Sequence, residues 1–425
     1  MNRTTPMPLL QFINSLDDRQ PRTTQHGDKP TAEAWIDSID KVDGAYIHVP
    51  FCFHKCHYCD FFSIAGADDR HEPFVDRLVG ELSFVGSQMH KPLGSVFVGG
   101  GTPTLLAPKL FDRLLAAIRY ELPLASGCEW TIEANPETVT NEVAEIMAKH
   151  GVNRVSIGAQ SFDKVQLKTL ERWHEPESVE RAVSCFRAAG IDNYNIDLIY
   201  SIPGQTISQV QDDLLRAIDL QPKHLSCYAL IYEPNTPLRT RLDRGEVIRV
   251  EQDIEAEMFE LVRTTLHEAN YLQYEISNFA MRGYECRHNL MYWKNKSWWP
   301  FGPAAAGHLD GRRWKNAPRL SEYILNEPLP FVEDVETLDD DRSAGEAFML
   351  GLRMLKGMER TWVESLVEQS TSRWREHVIE RFIKEKLLHW KSDNLALTAN
   401  GILVADTVIL ALLMREDAMT DTSGK

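Results

Sequence analysis

Cysteine is scarce in this chain, with seven residues in 425, and the odd count argues against a disulfide framework and for a reduced, cytoplasmic setting. Positive charge is also short. Forty-six Lys and Arg stand against 62 Asp and Glu, a formal net charge of −16, which excludes general adhesion to nucleic acid. No apolar run reaches the roughly 18 residues needed to cross a bilayer, so an integral membrane protein is not expected. Met1 to Lys41 is polar and lacks a signal-peptide core, and residues 1–44 read as a mobile leader. No internal repeat is visible, which sets solenoid and propeller arrays aside. What remains is ordinary for a globular chain: 43% hydrophobic and 25% charged. Its length buries a sizeable core without staples and suggests two domains, or one large barrel with an appendage.

Three of the few cysteines are crowded together, in Cys52-Phe53-His54-Lys55-Cys56-His57-Tyr58-Cys59. Thiolates favour soft metals and iron–sulfur clusters. Three within eight residues can wrap one [4Fe–4S] cube and leave its fourth iron without a protein ligand, a cluster suited to binding something rather than only carrying electrons. A zinc knuckle is the plainer reading, but zinc takes ligand pairs from two separated places, and no second Cys pair exists here. Cys128, Cys185, Cys227 and Cys286 are scattered and read as small apolar core residues.

From Ala45 to Leu230 short β-rich runs alternate with amphipathic helical patterns. Strands are predicted at Ala45 to Val49, Ser95 to Val98, Trp130 to Glu133, Arg154 to Gly158, Tyr194 to Ile199 and His224 to Leu230. Helices are predicted at Glu72 to Val85, Leu110 to Glu121, Asn141 to His150, Val179 to Ala189 and Ile207 to Leu220. Such alternation implies parallel pairing with right-handed crossovers, and six units suggest an α/β fold built on an incomplete barrel. Barrel sites gather at the C-terminal ends of strands. Polar or glycine-rich pieces follow the strands here: the cysteine loop, Gly99-Gly100-Gly101-Thr102-Pro103-Thr104, Glu133, Gln160, and Asp197. Residues 45–280 form this barrel unit and 281–332 an extension of it. A linker is expected at 333–342, where Glu333 to Asp341 holds six acidic residues in nine. A small, mostly α-helical domain follows at 343–415, then a frayed tail at 416–425.

The cysteine spacing, with Tyr58 before the third thiol, resembles the radical S-adenosylmethionine (SAM) superfamily. The flanks Tyr46-Ile47-His48-Val49-Pro50-Phe51 and Asp60-Phe61-Phe62-Ser63 resemble its coproporphyrinogen III dehydrogenase-like branch, and in particular the HemW-type heme chaperones. The dehydrogenases carry a further cysteine two residues after the third, where this chain has Phe61. The resemblance runs from Ala45 to about Asp406. It implies a partial (β/α)6 barrel, SAM on the open iron, and SAM contacts at Tyr46, Gly100, Gly101, Thr102, Glu133, Gln160, Arg172, Asp197 and Ala229. Arg172 can pair with the SAM carboxylate by a two-pronged bond. Taken singly, each of these is an ordinary strand-end or core residue.

A second constellation lies at His288-Asn289-Leu290-Met291-Tyr292-Trp293, inside a stretch from Arg282 to Lys315 with seven basic and two acidic residues. It resembles the HNxxYW motif that goes with heme binding in those chaperones. His288 or Tyr292 would be the axial ligand, Trp293 would lie on the porphyrin face, and Arg287, Lys294 and Lys296 would meet the propionates. Two plainer readings stand beside it: aromatic packing, and stacking on nucleic acid. In Gly302-Pro303-Ala304-Ala305-Ala306-Gly307 relatives often show a GPGAHS-like run, so the chain lacks a His at Ala306, and Ala304 in place of Gly restricts the backbone. The implied activity is delivery of heme to hemoproteins at the membrane. The alternative is oxidative decarboxylation of coproporphyrinogen III.

Overall fold

The computed structural model describes residues 30–414. Six strands follow the predicted order: β1 (Gly44–Val49), β2 (Leu93–Gly100), β3 (Leu124–Ala134), β4 (Arg154–Gln160), β5 (Tyr194–Tyr200) and β6 (His224–Ala229). They pair in parallel in that sequence order, with crossovers through helices α1 (His71–Gly86), α2 (Pro108–Glu121), α3 (Asn141–His150), α4 (Glu177–Ala188) and α5 (Ile207–Asp219). The helix boundaries are written locally. Thr140 accepts the amide of Val143 at the start of α3, Gly151 closes it with φ +92°, and Thr206 with Gln209 forms a capping box on α5.

The sheet continues beyond these strands. On one side stand β7 (Leu272–Gln273) and β8 (Asn278–Ala280). On the other are β9 (Trp298–Phe301), β10 (Ala306–Leu309), β11 (Arg312–Asn316) and β12 (Val332–Thr337). The order is β12-β11-β10-β9-β1-β2-β3-β4-β5-β6-β8-β7. β9 lies parallel to β1, with Trp298 opposite Gly44, so the parallel part has one strand more than the sequence pattern suggested.

Along each barrel strand residues alternate between two environments. Ile47, Val96, Val98, Ile132, Val155, Ile157, Ile196 and Leu225 are buried in the main apolar core. The alternate positions Tyr46, His48, Ser95, Phe97, Glu129, Thr131, Glu133, Arg154, Ser156, Asn195, Asp197, His224 and Ser226 share the other face, the inside of the partial barrel. That face is polar.

Two expectations change. Glu333 to Asp341 is not a free linker: β12 occupies most of it, with Glu333 opposite Lys315 and Glu336 opposite Arg313 in the sheet, while the carboxylates of Glu333 and Glu336 pair with Arg319 and Arg342. The leader falls outside the described residues up to residue 29. Beyond it Ala32–Lys41 is a 3-10 helix capped by Thr31, with Trp35 against Trp314 at 4.6 Å between ring centroids, so this part is packed rather than mobile. The frayed tail expected at 416–425 also lies outside the described residues.

The C-terminal part has its own core, including Phe348, Leu352, Val363, Phe382, Leu395, Val408 and Leu412. Its helices run at Asp340–Gly351, Arg360–Gln369, Trp374–Lys384, Ala399–Leu403 and Ala405–Leu413, joined by a three-stranded antiparallel sheet that the sequence pattern did not reveal. It is tied to the barrel by the Leu355 amide on the Tyr274 carbonyl and by the Arg313–Glu346 ion pair.

Candidate SAM and cluster site, and the aromatic motif beneath it

The cysteine loop leaves the C-terminal end of β1. Phe51–Cys52 pairs with Ile64–Ala65, which closes the loop at its base, and the Cys59 amide bonds the Cys56 carbonyl at 3.2 Å. Cys56 is buried; Cys52 and Cys59 are half-buried. Each of two sulfurs has a donor. Thr102 Oγ1 lies 3.7 Å from Cys52 Sγ, and Arg172 Nη1 lies 3.6 Å from Cys56 Sγ. Burial disfavours the thiolates all the same: it raises the Cys52 thiol despite the Thr102 and Ser63 donors, and pushes the Cys59 thiol up to about 12 despite a bond from the Phe61 amide. Among the described residues no three metal-ligating side chains gather as around a single ion. A cube makes a different demand, because each thiolate binds a separate iron and the sulfurs must surround a volume. Cationic and hydroxyl donors aimed at the sulfurs suit that chemistry.

The glycine run is explained by its surroundings. Gly100 has φ +95°, and a Cβ there would lie 2.3 Å from the His48 ring; one at Gly99 would lie 2.3 Å from Glu133 Oε2. The chain can therefore cross the top of β1, where the Gly101 amide bonds the Val49 carbonyl at 2.9 Å and the Thr102 amide bonds that of Phe51 at 2.6 Å. His48 is fixed by its own bonds, Nε2 to the Phe62 carbonyl at 2.8 Å and Nδ1 with Tyr46 Oη at 3.2 Å. Sequence reasoning passed over His48.

Glu133 accepts the Gly100 amide at 3.0 Å, and burial pushes its carboxyl up to about 7. Asp197 sits in the middle of β5 rather than at its end. It accepts from Ser156 Oγ at 3.1 Å and Asn195 Nδ2 at 2.7 Å, and burial raises its pKa. Arg172 donates to the Gly158 carbonyl at 2.5 Å as well as to Cys56, and a Cβ on Gly158 would meet both Arg172 and Gln160 at 2.8 Å. Gln160 adopts φ +66°, and Ala229 is half-buried at the end of β6 beside Tyr200. These residues thus line one rim. Outside it the aromatic rings of Phe53, Phe61 and Trp173 are exposed, with Trp173 stacked on His54 at 4.6 Å.

The HNxxYW motif lies elsewhere than a surface reading would have it. It forms α6 (Arg287–Trp293), whose first amides, those of Arg287 and His288, bond the buried Glu129 carboxylate at 3.0 Å each. His288 is only 1% exposed. Its Nδ1 bonds Ser95 Oγ at 3.0 Å, its Nε2 bonds Tyr292 Oη at 2.8 Å, and burial lowers its pKa to about 3. Both ring nitrogens are engaged, so neither is open to an iron. Trp293 points the other way: the Arg353 guanidinium covers its ring at 4.9 Å. Ala304 takes φ +62°, a conformation glycine holds without strain, and Ala306 is exposed at the start of β10.

Sequence reasoning also missed the buried set beneath this rim. His224 bonds Asn195 at 2.7 Å and Tyr274 Oη at 2.9 Å, next to Arg154 and Glu129. The period-two alternation of polar residues in β3 to β6 was the available signal.

The Radical SAM superfamily model matches residues 46–217. The fold resembles coproporphyrinogen III oxidase from Escherichia coli, described as a radical SAM enzyme, with a TM-score of 0.77 and 18% identity over 94% of this chain and 98% of that one. The family match, with the fold in agreement, defines a radical SAM protein. In sequence, the heme chaperone HemW of Lactococcus lactis is 33% identical over 88% of this chain and 98% of its own length. Those of Mycobacterium tuberculosis (35%, over 87% and 94%) and Escherichia coli (37%, over 74% and 83%) are similar. The chain belongs to the HemW family. No helix among the described residues is long and apolar enough to cross a membrane.

Proposed function

We propose that this protein is a cytoplasmic heme chaperone that holds a SAM-liganded [4Fe–4S] cluster and heme, and hands heme to hemoproteins at the membrane. The observation that carries the reading is the match to curated heme chaperones along almost their whole length, together with the donor-supported cysteine loop. Cys52, Cys56 and Cys59 would hold three irons of the cube, and the fourth would take the amino and carboxylate groups of SAM. Glu133 is suited to the SAM ammonium, since an adjacent cation favours its ionised form over the neutral one that burial favours. Arg172 donates through Nη1 to Cys56 and through Nη2 to Gly158, and its buried Nε has no partner, which leaves a donor at the rim for the SAM carboxylate. In the place of the dehydrogenases' extra thiol, Phe61 offers an exposed ring with no proton or electron chemistry.

The test is anaerobic reconstitution with iron and sulfide, iron counting on the wild type and the Cys52→Ala/Cys56→Ala/Cys59→Ala triple variant, then incubation with SAM and either heme or coproporphyrinogen III. The reading expects about four irons per chain in the wild type only, a Soret band with heme, and no protoporphyrinogen. Decarboxylation of coproporphyrinogen III would instead support the dehydrogenase.

A further inference from the structure

A cleft of about 560 Å³ opens at the N-terminal end of β3, where α2 and α3 end. This is the opposite end of the barrel from the cysteine loop. Cys128 on its wall and Glu133 at the rim are five residues apart on β3, about 17 Å at the rise of a strand. The inner surface is apolar: Leu122, Cys128 and Trp130 are buried, and Leu124 is half-buried. Trp130 is 1% exposed and its Nε1 has no hydrogen-bond partner, so an acceptor brought by a ligand would satisfy it. Tyr120 stands at the edge, 78% exposed. Beside it Arg119 donates through Nη1 to the His150 carbonyl at 2.9 Å and pairs with no carboxylate among the described residues. The motif helix borders the same cleft. Arg287, the first residue of α6, donates through Nη2 at 2.6 Å to the carbonyl of Gly127, which lines it.

An apolar cleft with cations at its edge, in a chain of net charge −16, suits a flat apolar ligand that carries carboxylates. Heme has that chemistry, and its iron needs a ligand as well. Tyr120 offers a phenol at the edge. Cys128 does not compete with it, because burial pushes its thiol up to about 11. Nor does His288, whose ring nitrogens are both engaged. We infer that heme lies in this cleft, with its propionates towards Arg119 and Arg287 and its iron on Tyr120. The inference rests on the heme reading proposed above and gives it a place. Heme and SAM then occupy opposite ends of the barrel and do not compete.

The experiment titrates the reconstituted full-length protein with hemin, followed by its Soret band, and then with hemin dimethyl ester, which lacks free carboxylates. Arg119→Gln removes an exposed cation and is expected to weaken hemin by about three- to tenfold, the size of one hydrogen bond, and to leave the ester unaffected. Ala125→Trp fills the cleft and weakens both porphyrins, at the iron content and melting temperature of the wild type. Tyr120→Phe shifts the Soret band. The Cys52→Ala/Cys56→Ala/Cys59→Ala variant binds hemin within about twofold of the wild type, since the cluster loop is at the other end; a loss there puts heme on the cluster side and overturns the placement. Hemin affinities within about twofold of the wild type in both Arg119→Gln and Ala125→Trp also overturn the cleft, and leave the chaperone reading standing. An unchanged Soret band in Tyr120→Phe overturns the iron ligand. A wild type that takes up no hemin overturns the cleft and the chaperone reading together.

Discussion

Replacing His288 by alanine should cost the apoprotein about 3–5 kcal/mol at pH 7. The ring is buried and holds two hydroxyls, Ser95 Oγ at 3.0 Å and Tyr292 Oη at 2.8 Å. Each would be left inside the barrel without its partner, at about 1–3 kcal/mol apiece, and the space left by the ring adds to the loss. The pH dependence gives a second check. The folded-state pKa of His288 is lowered to about 3 from 6.5, so the unfolded chain binds more protons between those values. The stability contributed by neutral His288 is thus complete above pH 6.5 and falls as the pH drops towards 3. The penalty of His288→Ala should therefore shrink by about 2 kcal/mol between pH 7 and pH 5, at about 1.4 kcal/mol per unit below 6.5. Urea unfolding of both proteins at the two pH values, followed by tryptophan fluorescence, measures this as a midpoint shift at constant m-value. A penalty below about 1 kcal/mol, or one independent of pH, would refute the burial argument. The outcome also governs how heme titrations of this variant are read, since a lost Soret shift could come from a loosened barrel rather than a lost ligand.

Glu133 works in the opposite sense. Its folded pKa is raised to about 7 from 4.5, so the folded state binds the extra proton and stability falls as pH rises from about 4.5 to 7; Glu133→Gln should stabilise the apoprotein by about 2–3 kcal/mol at pH 8 and not at pH 4, while weakening SAM. At two backbone positions the expected signs differ. Ala304→Gly relieves a left-handed alanine and should gain about 0.5–1 kcal/mol after the added chain entropy. Gly100→Ala drives a Cβ to 2.3 Å from the His48 ring and should lose about 3 kcal/mol or more; thermal melts of both variants check the pair.

The barrel was legible because its signals are local. Mostly apolar strand runs such as Ile196, Leu198 and Ile199, the cap at Thr140 and the glycine at Gly151 mark elements without reference to the rest of the chain. The cysteine loop was legible for the same reason, since all three thiols lie within eight residues. The acidic run at Glu333 misled because composition says nothing about pairing. Six carboxylates in nine residues look solvated until Lys315 and Arg313 are found opposite them. The C-terminal sheet was hidden in short strands, such as Met358–Glu359, too brief to show a period.

His288 shows the harder limit. Read along the chain, it stands among cations and aromatics, and such a setting points to an exposed ligand site. The sign of its role depends on a serine 193 residues away and on a glutamate, Glu129, that anchors the helix from inside the sheet. Neither is visible from the motif. They become visible only through the alternation in β2 and β3, which puts Ser95 and Glu129 on the face that also carries Phe97 and Glu133. A motif on a short helix is therefore best assigned after the register of the strands it covers is known. Here that register shows His288 bonded through both ring nitrogens, to Ser95 and to Tyr292, which the motif alone does not reveal.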